Sequence, residues 1–350
     1  MFFSKKGVVV GLDIGSSSIK LVELKGSKKG FQLKNLGEAL LPPDAIVNKV
    51  INNSENVIDS IATLVDDLNV KSKNVAIGVS GHSVIIKKVS MPKMSDKELR
   101  ESIPWELEQY IPQSVEDVNY DFQILPGETA EGNMEVLIIA AKKDIAAGYL
   151  NSVVDAGLNP VVVDVDVFAL ENMYDENYFE SQGVVALVNV GASIINVNIL
   201  REGISIFTRD ITTGGNQFTE MIQKEFDVNF EEAEKMKYSL GSDSSSQELK
   251  RIAGDFNNMI CGEIKRTLDF FTNTIWKEKV NSVLIGGGSS KIPEMEETLK
   301  SMANTNVEIL NPFRNIGYSN KDFDSDYISD IGPKMSIATG LALRKVGDRP

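Results

Sequence analysis

The chain predicts an α/β protein built from two similar domains that face each other across a cleft. Three observations carry that expectation. Gly11–Leu24 is an apolar strand, a Gly-Ser turn and a returning alternating strand. Ala186–Ile199 repeats the pattern, so that Asp13 matches Asn189, Gly15 matches Gly191, Ser17 matches Ser193, Ile19 matches Ile195 and Leu21 matches Val197. Val283–Ser290 reads as a buried strand ending in three glycines, and loops at the C-terminal ends of such strands are where α/β folds bind ligands.

Taken in order, the first turn offers Asp13, Gly15, Ser16, Ser17, Ser18 and Lys20. Gly15 permits close backbone approach, the serines present donors and Lys20 adds positive charge, a combination suited to phosphate. Asp13 suits a hydrated Mg²⁺, which takes one or two carboxylates plus water and phosphate oxygens. An ordinary hairpin with a Gly-Ser turn shares this local pattern. The echo at Asn189, Gly191, Ala192 and Ser193 favours a clamp with one cradle on each side of a nucleoside triphosphate. Phe31, Leu33 and Leu36 then alternate as a third strand, and Pro42-Pro43 closes the unit. Val57, Ile58, Ile61, Leu64, Val65 and Leu68 recur at helical spacing. Val75–Val79 is a short buried strand running into Ser80, Gly81 and His82. The single histidine reads as structural rather than catalytic.

From Ser83 to about Pro160 the spacing predicts a β–α–β–β–α–β insertion. Its parts are a strand over Val84–Val89, a helix capped by Ser95 or Asp96 with Glu98 in its first turn, two strands around a Gly127–Gly132 loop, a helix over Asp144–Ala156 and a strand over Val161–Val165. Pro104 is expected to kink or divide the first helix, and Pro112 to stop it. The segment holds no catalytic cluster of Cys, His or carboxylates. Its aromatic residues Trp105 and Tyr110 mark a binding surface if exposed.

In the second half, Arg201–Gly203 turns the chain into an alternating strand over Ile204, Ile206 and Thr208. Gly214 and Gly215 open a helix, with tight backbone packing as their structural reading. Phe230–Tyr238 and Leu249–Trp276 are helical and separated by a polar loop, Gly241–Gln247. Gly286, Gly287, Gly288 and Ser289 form the glycine-rich loop. The aspartates of Asn311–Asp330 resemble half a calcium loop but lack its central Gly and terminal Glu, and read as a solvated loop. Ser336–Leu343 is a closing helix. The expected domains are 1–82, completed by about 161–183 and 332–350; an insertion at 83–160; and 184–331, with a helical subdomain at about 225–275.

Composition narrows the class. The 350 residues carry a formal charge of −14, 42% hydrophobic and 25% charged residues, which describes a globular chain of more than one domain. The acidic balance argues against a general nucleic-acid binder, although Lys5, Lys6, Lys20, Lys25, Lys28 and Lys29 make the N-terminus positive. A lone Cys261 excludes an internal disulfide and fits a reducing compartment. No secretory signal or membrane-length apolar run is present, so a cytoplasmic protein is expected, with any membrane location supplied by a partner.

The order LDIGSSSIK, VDVDVFALENMY, LVNVGAS, LIGGGSS and ATGLALR resembles the five nucleotide-site motifs of the superfamily of actin, heat-shock chaperones and sugar kinases. IPWELEQYIP at Ile103–Pro112 further resembles the PilM family of type IV pilus assembly proteins, whose fold is similar to the division ATPase FtsA. The resemblance covers essentially the whole chain. It implies an actin-like ATPase fold, with two duplicated ribonuclease H-like domains around a nucleotide cleft and an FtsA-type inserted subdomain. It also implies ATP and Mg²⁺ as cofactors and the short N-terminal cytoplasmic tail of PilN as partner. Further contacts are the pilus motor ATPases and the platform protein, with self-association open. The place is the cytoplasmic face of the inner membrane, without direct insertion.

Matched position by position, the resemblance puts Asp13, Gly15–Ser18 and Lys20 in the first phosphate motif, and Asn189, Gly191, Ala192 and Ser193 in the second. Gly286–Ser289 fall in the adenosine motif, and Glu234 and Lys237 in the helix that contacts ribose and base. Asp166 stands where related proteins position water, with Asp164 close enough to compete for that alignment. Asn189 departs from the family, where an Asp is frequent. An amide can neither accept water's proton nor offer Mg²⁺ a negative charge, so the expectation is Mg-ATP binding with slow or partner-dependent hydrolysis. The alternatives are an FtsA-like division or secretion-platform ATPase and a small-molecule kinase. The insertion offers no dedicated substrate base for the latter, and the C-terminal residues are too short and polar for a division-type membrane anchor.

Overall fold

Two five-stranded sheets of one topology organise the chain. The computed structural model describes residues 9–27, 30–125, 132–178, 183–241 and 245–347. Lys5, Lys6, Lys28 and Lys29, most of the Gly127–Gly132 loop, part of the Gly241–Gln247 loop and the last three residues lie outside them.

The first half begins with β1 (Val10–Ile14), β2 (Ser18–Ser27) and β3 (Gly30–Leu40), an antiparallel meander. A two-residue hairpin of β4 (Ile46–Val47) and β5 (Val50–Ile51) follows, then α1 (Ser54–Asp67) and β6 (Asn74–Val79), which lies parallel to β1. Helix α1 starts where the Asn53 side chain accepts the Asn56 N–H, and it buries Val57, Ile61, Leu64 and Val65 on one face. Each such side chain contributes roughly 1.5–3 kcal/mol when removed from water.

The inserted subdomain comprises β7 (Val84–Met91), α2 (Asp96–Leu107), β8 (Val118–Ile124) and β9 (Met134–Lys142). Its sheet order is β7-β9-β8, all antiparallel. Ser95 and Glu98 form a reciprocal capping box on α2. The helix runs through Pro104 undivided and ends at Leu107, before Pro112 is reached. Leu99, Ile103 and Leu107 cover one face of the sheet, against Val136 and Ile138 of β9.

The expected boundary at Pro160 moves back to Lys142. Strand β9 passes without a connecting residue into α3 (Lys143–Asp155), whose Tyr149 and Val153 are buried in the first half's core beside Ile46 and Ile61. Strand β10 (Asn159–Val165) pairs parallel with β6, giving the sheet β10-β6-β1-β2-β3. Apolar period alone predicts these elements but not the sheet they join.

Helix α4 (Asp166–Tyr178) leads to the second half, where β11 (Val184–Val190), β12 (Ile195–Arg201) and β13 (Ile204–Ile211) repeat the meander. Helices α5 (Gly215–Phe226), α6 (Phe230–Tyr238) and α7 (Gln247–Phe270) precede β14 (Ser282–Gly286), α8 (Met295–Ala303) and β15 (Asn306–Ile309). The sheet β13-β12-β11-β14-β15 reproduces the first in order and strand sense.

Within the segment read as a solvated loop, Asp324 instead caps a short helix, α9 (Ser325–Ile331), by accepting the N–H groups of Asp326 and Tyr327. The last helix, α10 (Ser336–Ala342), crosses α4 between the sheets. A Cβ at Gly340 would stand 1.7 Å from the Ala169 carbonyl oxygen, and one at Gly11 would stand 1.9 Å from that of Ala338. Helix α10 therefore packs on β1 and α4 at backbone distance, behind the cleft.

Candidate functional site

The two Gly-Ser turns meet at the C-terminal ends of β1 and β11. In the first, the Gly15 N–H donates to the Ser18 carbonyl at 3.1 Å; in the second, the Gly191 N–H donates to the Ile194 carbonyl at 3.0 Å. The turns touch through Ser16 Oγ and Ser193 Oγ, 2.7 Å apart. Residues 177 positions apart are thus in hydrogen-bond contact across the cleft.

On the first side, Asp13 lies opposite Lys20 in the strand register, and Lys20 Nζ is 3.5 Å from its carboxylate. Lys20 also donates to the Ser18 carbonyl at 3.2 Å. Burial pushes the Asp13 carboxyl up; the Asp166 charge adds to that, while Lys20 and Lys49 pull it down. Asp166 faces this group, whereas Asp164 turns away to Arg344 at 3.2 Å. The ambiguity between them resolves because β10 ends at Val165, so Asp166 is already the first residue of a helix.

Lys49 is the cleft residue that sequence reasoning misses. Asn48 and Lys49 form the tip of the β4–β5 hairpin at φ 50° and 63°, the conformation of a type I′ turn. A lysine there carries a backbone strain of about 1 kcal/mol that glycine would avoid. Its ammonium nevertheless enters the cleft, 3.2 Å from Asp166 Oδ2, and its side chain is only 12% exposed. Burial alone would lower its pKa, but Asp166, then Tyr149 and Asp13, raise it above the usual lysine value, so it stays charged. The only sequence signal was a non-glycine residue after Asn in a two-residue turn.

On the second side, Asn189 lies opposite Asn196 and donates to its side-chain oxygen at 3.3 Å. Asn196 donates in turn to Asp210 at 2.8 Å, and the other Asp210 oxygen accepts the Gly81 N–H at 2.6 Å. Asp210, on β13, supplies the second half's nearby carboxylate and ties it to the first half. Burial raises its pKa, while Asn196 and Gly81 hold it down by donating to it.

Gly214 and Gly215 close the second turn from behind. The Gly215 N–H donates to the Gly191 carbonyl at 2.9 Å, and the Asn216 N–H to the Ala192 carbonyl at 2.8 Å. These α5 donors are therefore spent on the turn itself. A Cβ at Gly214 would sit 2.4 Å from the Gly191 oxygen, and one at Gly215 would sit 2.4 Å from Ser289 Oγ. Both glycines allow close packing of α5 on the second turn.

Lys237 Nζ joins the Gly215 carbonyl at 3.0 Å, Thr219 Oγ1 at 3.1 Å and Glu234 Oε1 at 3.0 Å. Burial lowers its pKa, opposed by Glu234. Gly287, at φ 89°, lies against the Val190 backbone, and Ser289 N–H donates to the Val190 carbonyl at 3.2 Å. Gly286, Gly288 and Ser289 thus stand beside the second turn. Lys334, whose ammonium is 3.4 Å from Glu38, lies over the Tyr238 ring at 5.5 Å. Tyr238, 62% exposed, leaves an aromatic face near the glycine loop.

A separate groove of about 680 Å³ opens where the inserted subdomain meets both halves. Leu125, Leu137 and Ile139, with Phe168 packed against them, line it together with Phe31 and Leu343, and Asp164, Glu171, Asp175 and Glu176 lie along it. Burial, followed by the Asp175 charge, pushes the Glu171 carboxyl up to about 8; burial pushes Asp175 up to about 6. Trp105 is 73% exposed, but it lies on the α2 side of the sheet, and neither it nor Tyr110 lines this groove. Cys261 is buried and its thiol is pushed up to about 12, which leaves it inert.

Among the described residues no group of three or more His, Cys, Asp or Glu is arranged for a metal ion, and no helix is long and apolar enough to cross a membrane. A single carboxylate at Asp13 remains suited to Mg²⁺ held through water, with phosphate oxygens completing the shell.

A family model described as type IV pilus assembly protein PilM matches residues 11–346. A solved structure of the PilM-PilN type IV pilus biogenesis complex is similar with a TM-score of 0.88 at 29% identity, covering 98% of this chain and 100% of that one. The ethanolamine utilization protein EutJ from Carboxydothermus hydrogenoformans is similar with a TM-score of 0.57 at 16% identity, covering 96% and 89%. MreB 5 of Spiroplasma citri, solved bound to AMPPNP, gives 0.51 at 12%, covering 95% and 94%. The fold is the actin-like ATPase fold.

Proposed function

The chain belongs to the type IV pilus assembly protein PilM family, and from that premise we propose that it is a nucleotide-binding adaptor that captures the N-terminal cytoplasmic tail of PilN. The observation that carries the nucleotide half is the pair of alike-bonded turns joined by Ser16 and Ser193. Gly15, Ser16, Ser17 and Ser18 with Lys20 form one cradle for phosphates, and Gly191, Ala192 and Ser193 the other. Bound Mg-ATP would set its phosphate oxygens against the donors of both turns. Asp13 would hold the ion through water, and Asp166 would orient a water in the cleft. Glu234, Lys237 and the Gly286–Ser289 loop face the nucleoside, with Tyr238 available to its base.

Hydrolysis on this reading is slow. Asn189 donates a hydrogen bond where a carboxylate would accept one, and Asp166 is held by Lys49. Positioning and electrostatics carry most of phosphoryl transfer, so partner contacts that move these groups can still raise the rate.

We place the PilN tail in the groove between the inserted subdomain and the first half. Its apolar walls and acidic side chains suit a segment with alternating apolar and basic side chains. The solved complex of similar chain pairs PilM with PilN. Such a contact holds the protein at the cytoplasmic face of the inner membrane without inserting it, and leaves other faces for the motor ATPases, the platform protein or a second copy. Titration calorimetry of the purified chain with Mg-ATP and with a PilN-tail peptide tests both halves. Absence of ATP binding would remove the first, and undiminished peptide binding by a Leu137→Asp, Ile139→Asp double variant would remove the second.

A further inference from the structure

The cleft holds one cation with no place in the clamp described so far. Lys49 is carried by a two-residue hairpin, and its Cγ would lie 3.4 Å from a Cβ at Gly81, the residue that binds Asp210. Its ammonium is 3.2 Å from Asp166, and the charges of Asp13 and Asp210 both sense it. Three carboxylates, drawn from β1, α4 and β13, therefore act on the charge at the tip of one side chain, with Asp166 the one in contact. The backbone behind that tip is fixed: the Tyr149 hydroxyl donates to the Lys49 carbonyl at 3.2 Å, and Ile46 is packed in the core beside Tyr149. The side chain can exchange partners while its anchor stays still.

Resting on the nucleotide reading above, we propose that Lys49 is the residue by which the cleft distinguishes a nucleoside triphosphate from a diphosphate. Its ammonium rests on Asp166 until a terminal phosphate enters between the turns, and it then turns to that phosphate and releases the carboxylate. Two features favour this over a fixed counter-ion. A neutral residue beside a neutral partner would fill the same volume without burying two charges, and an unexchangeable buried ion pair adds little stability. The lysine also occupies a turn position where glycine would be relaxed, so the backbone bears strain to deliver this side chain. The pair Asp13–Lys20 already serves the first turn, which leaves Lys49 as a second buried cation on that side among the described residues.

The test measures ATP and ADP affinity by calorimetry in Mg²⁺, for the full chain and three variants. Lys49→Gly suits the φ of 63°, and its circular-dichroism melt is read alongside to separate the cost of leaving Asp166 unpaired from any change in nucleotide preference. It is expected to weaken ATP by about 10-fold or more and ADP by less than about 3-fold, the loss of one charge-assisted contact. Lys49→Arg should keep most of the preference. Asp166→Asn, which frees the ammonium from its resting partner, should tighten ATP relative to ADP. Equal losses for both nucleotides in Lys49→Gly, or an unmoved ratio in Asp166→Asn, would overturn the proposal and leave the nucleotide clamp standing. A wild-type chain that bound neither nucleotide would overturn both.

Discussion

The first and second turns share a geometry and differ in chemistry. Each closes with one glycine N–H bonded three residues ahead, at 3.1 and 3.0 Å, and each sets the residue before the turn against the residue seven positions on. In the first turn that pair is Asp13 and Lys20, an ion pair at 3.5 Å; in the second it is Asn189 and Asn196, two amides at 3.3 Å. The backbone frame was duplicated while the charges were kept on one side. The second half's acid stands one strand away at Asp210, bound to Asn196 and Gly81 rather than aimed between the turns. A clamp built this way grips from two sides but carries its electrostatics on one.

The largest effect expected from that asymmetry is on affinity. Asp13→Ala should weaken Mg-dependent ATP binding by about 100-fold and Lys20→Ala by at least about 10-fold, while Asn196→Ala changes it by less than about 3-fold. Calorimetry with and without Mg²⁺ reads all three, and an Asn196 variant as damaging as the Lys20 variant would break the comparison.

Next in size is Asn189→Asp. It restores an acid to the second turn and should raise steady-state phosphate release. A carboxylate there cannot donate to Asn196, so the fold should lose about 1–3 kcal/mol in urea melts. A rate unchanged in a folded variant would show that the missing acid is not what slows the site.

The two turn glycines give a smaller contrast. A Cβ at Gly191 meets the Ile194 carbonyl at 2.8 Å, whereas at Gly15 the nearest atom is the end of the flexible Lys20, at 2.9 Å. Gly191→Ala should therefore cost about 2 kcal/mol and Gly15→Ala about 1 kcal/mol or less. Equal costs would mean that the turns are equally tight.

The last contrast sets the cleft against the groove. Asp13 has a cation beside it, whereas the carboxyl of Glu171 stays protonated up to about 8 because burial and Asp175 oppose its charge. Its folded pKa lies above its unfolded one, so the protonated acid stabilises the fold at low pH and that contribution is lost as pH rises through about 8. Glu171→Gln should melt with the wild type at about pH 5 and a few degrees above it at about pH 9.

Much of this was legible in the residues because it rested on local pattern. The repeated turn and the alternating strands flanking it fix two meanders, and Ser95 with Glu98 announces its helix. What could not be read was the outcome of long-range competition. The apolar face of Asp144–Ala156 fits either the insertion or the first sheet, and burial of Tyr149 and Val153 decides for the latter. Asp324 looked solvated because a cap and a polar loop use the same residue type. Lys49 was invisible because Asn-Lys between short apolar pairs reads as an ordinary surface turn, and only the fold brings its ammonium to Asp166. Trp105 and Tyr110 are exposed, as a binding surface requires, but they stand away from the groove, because exposure says nothing about concavity.

One junction described above has a mechanical meaning. Strand β9 lines the groove with Leu137 and Ile139, and at Lys142 it becomes α3 without a single residue of slack. Helix α3 in turn holds the hairpin that carries Lys49. Groove wall and Lys49 hairpin are therefore joined through one continuous strand and helix, so that anything tilting the strand would carry α3, and the hairpin it holds, along with it.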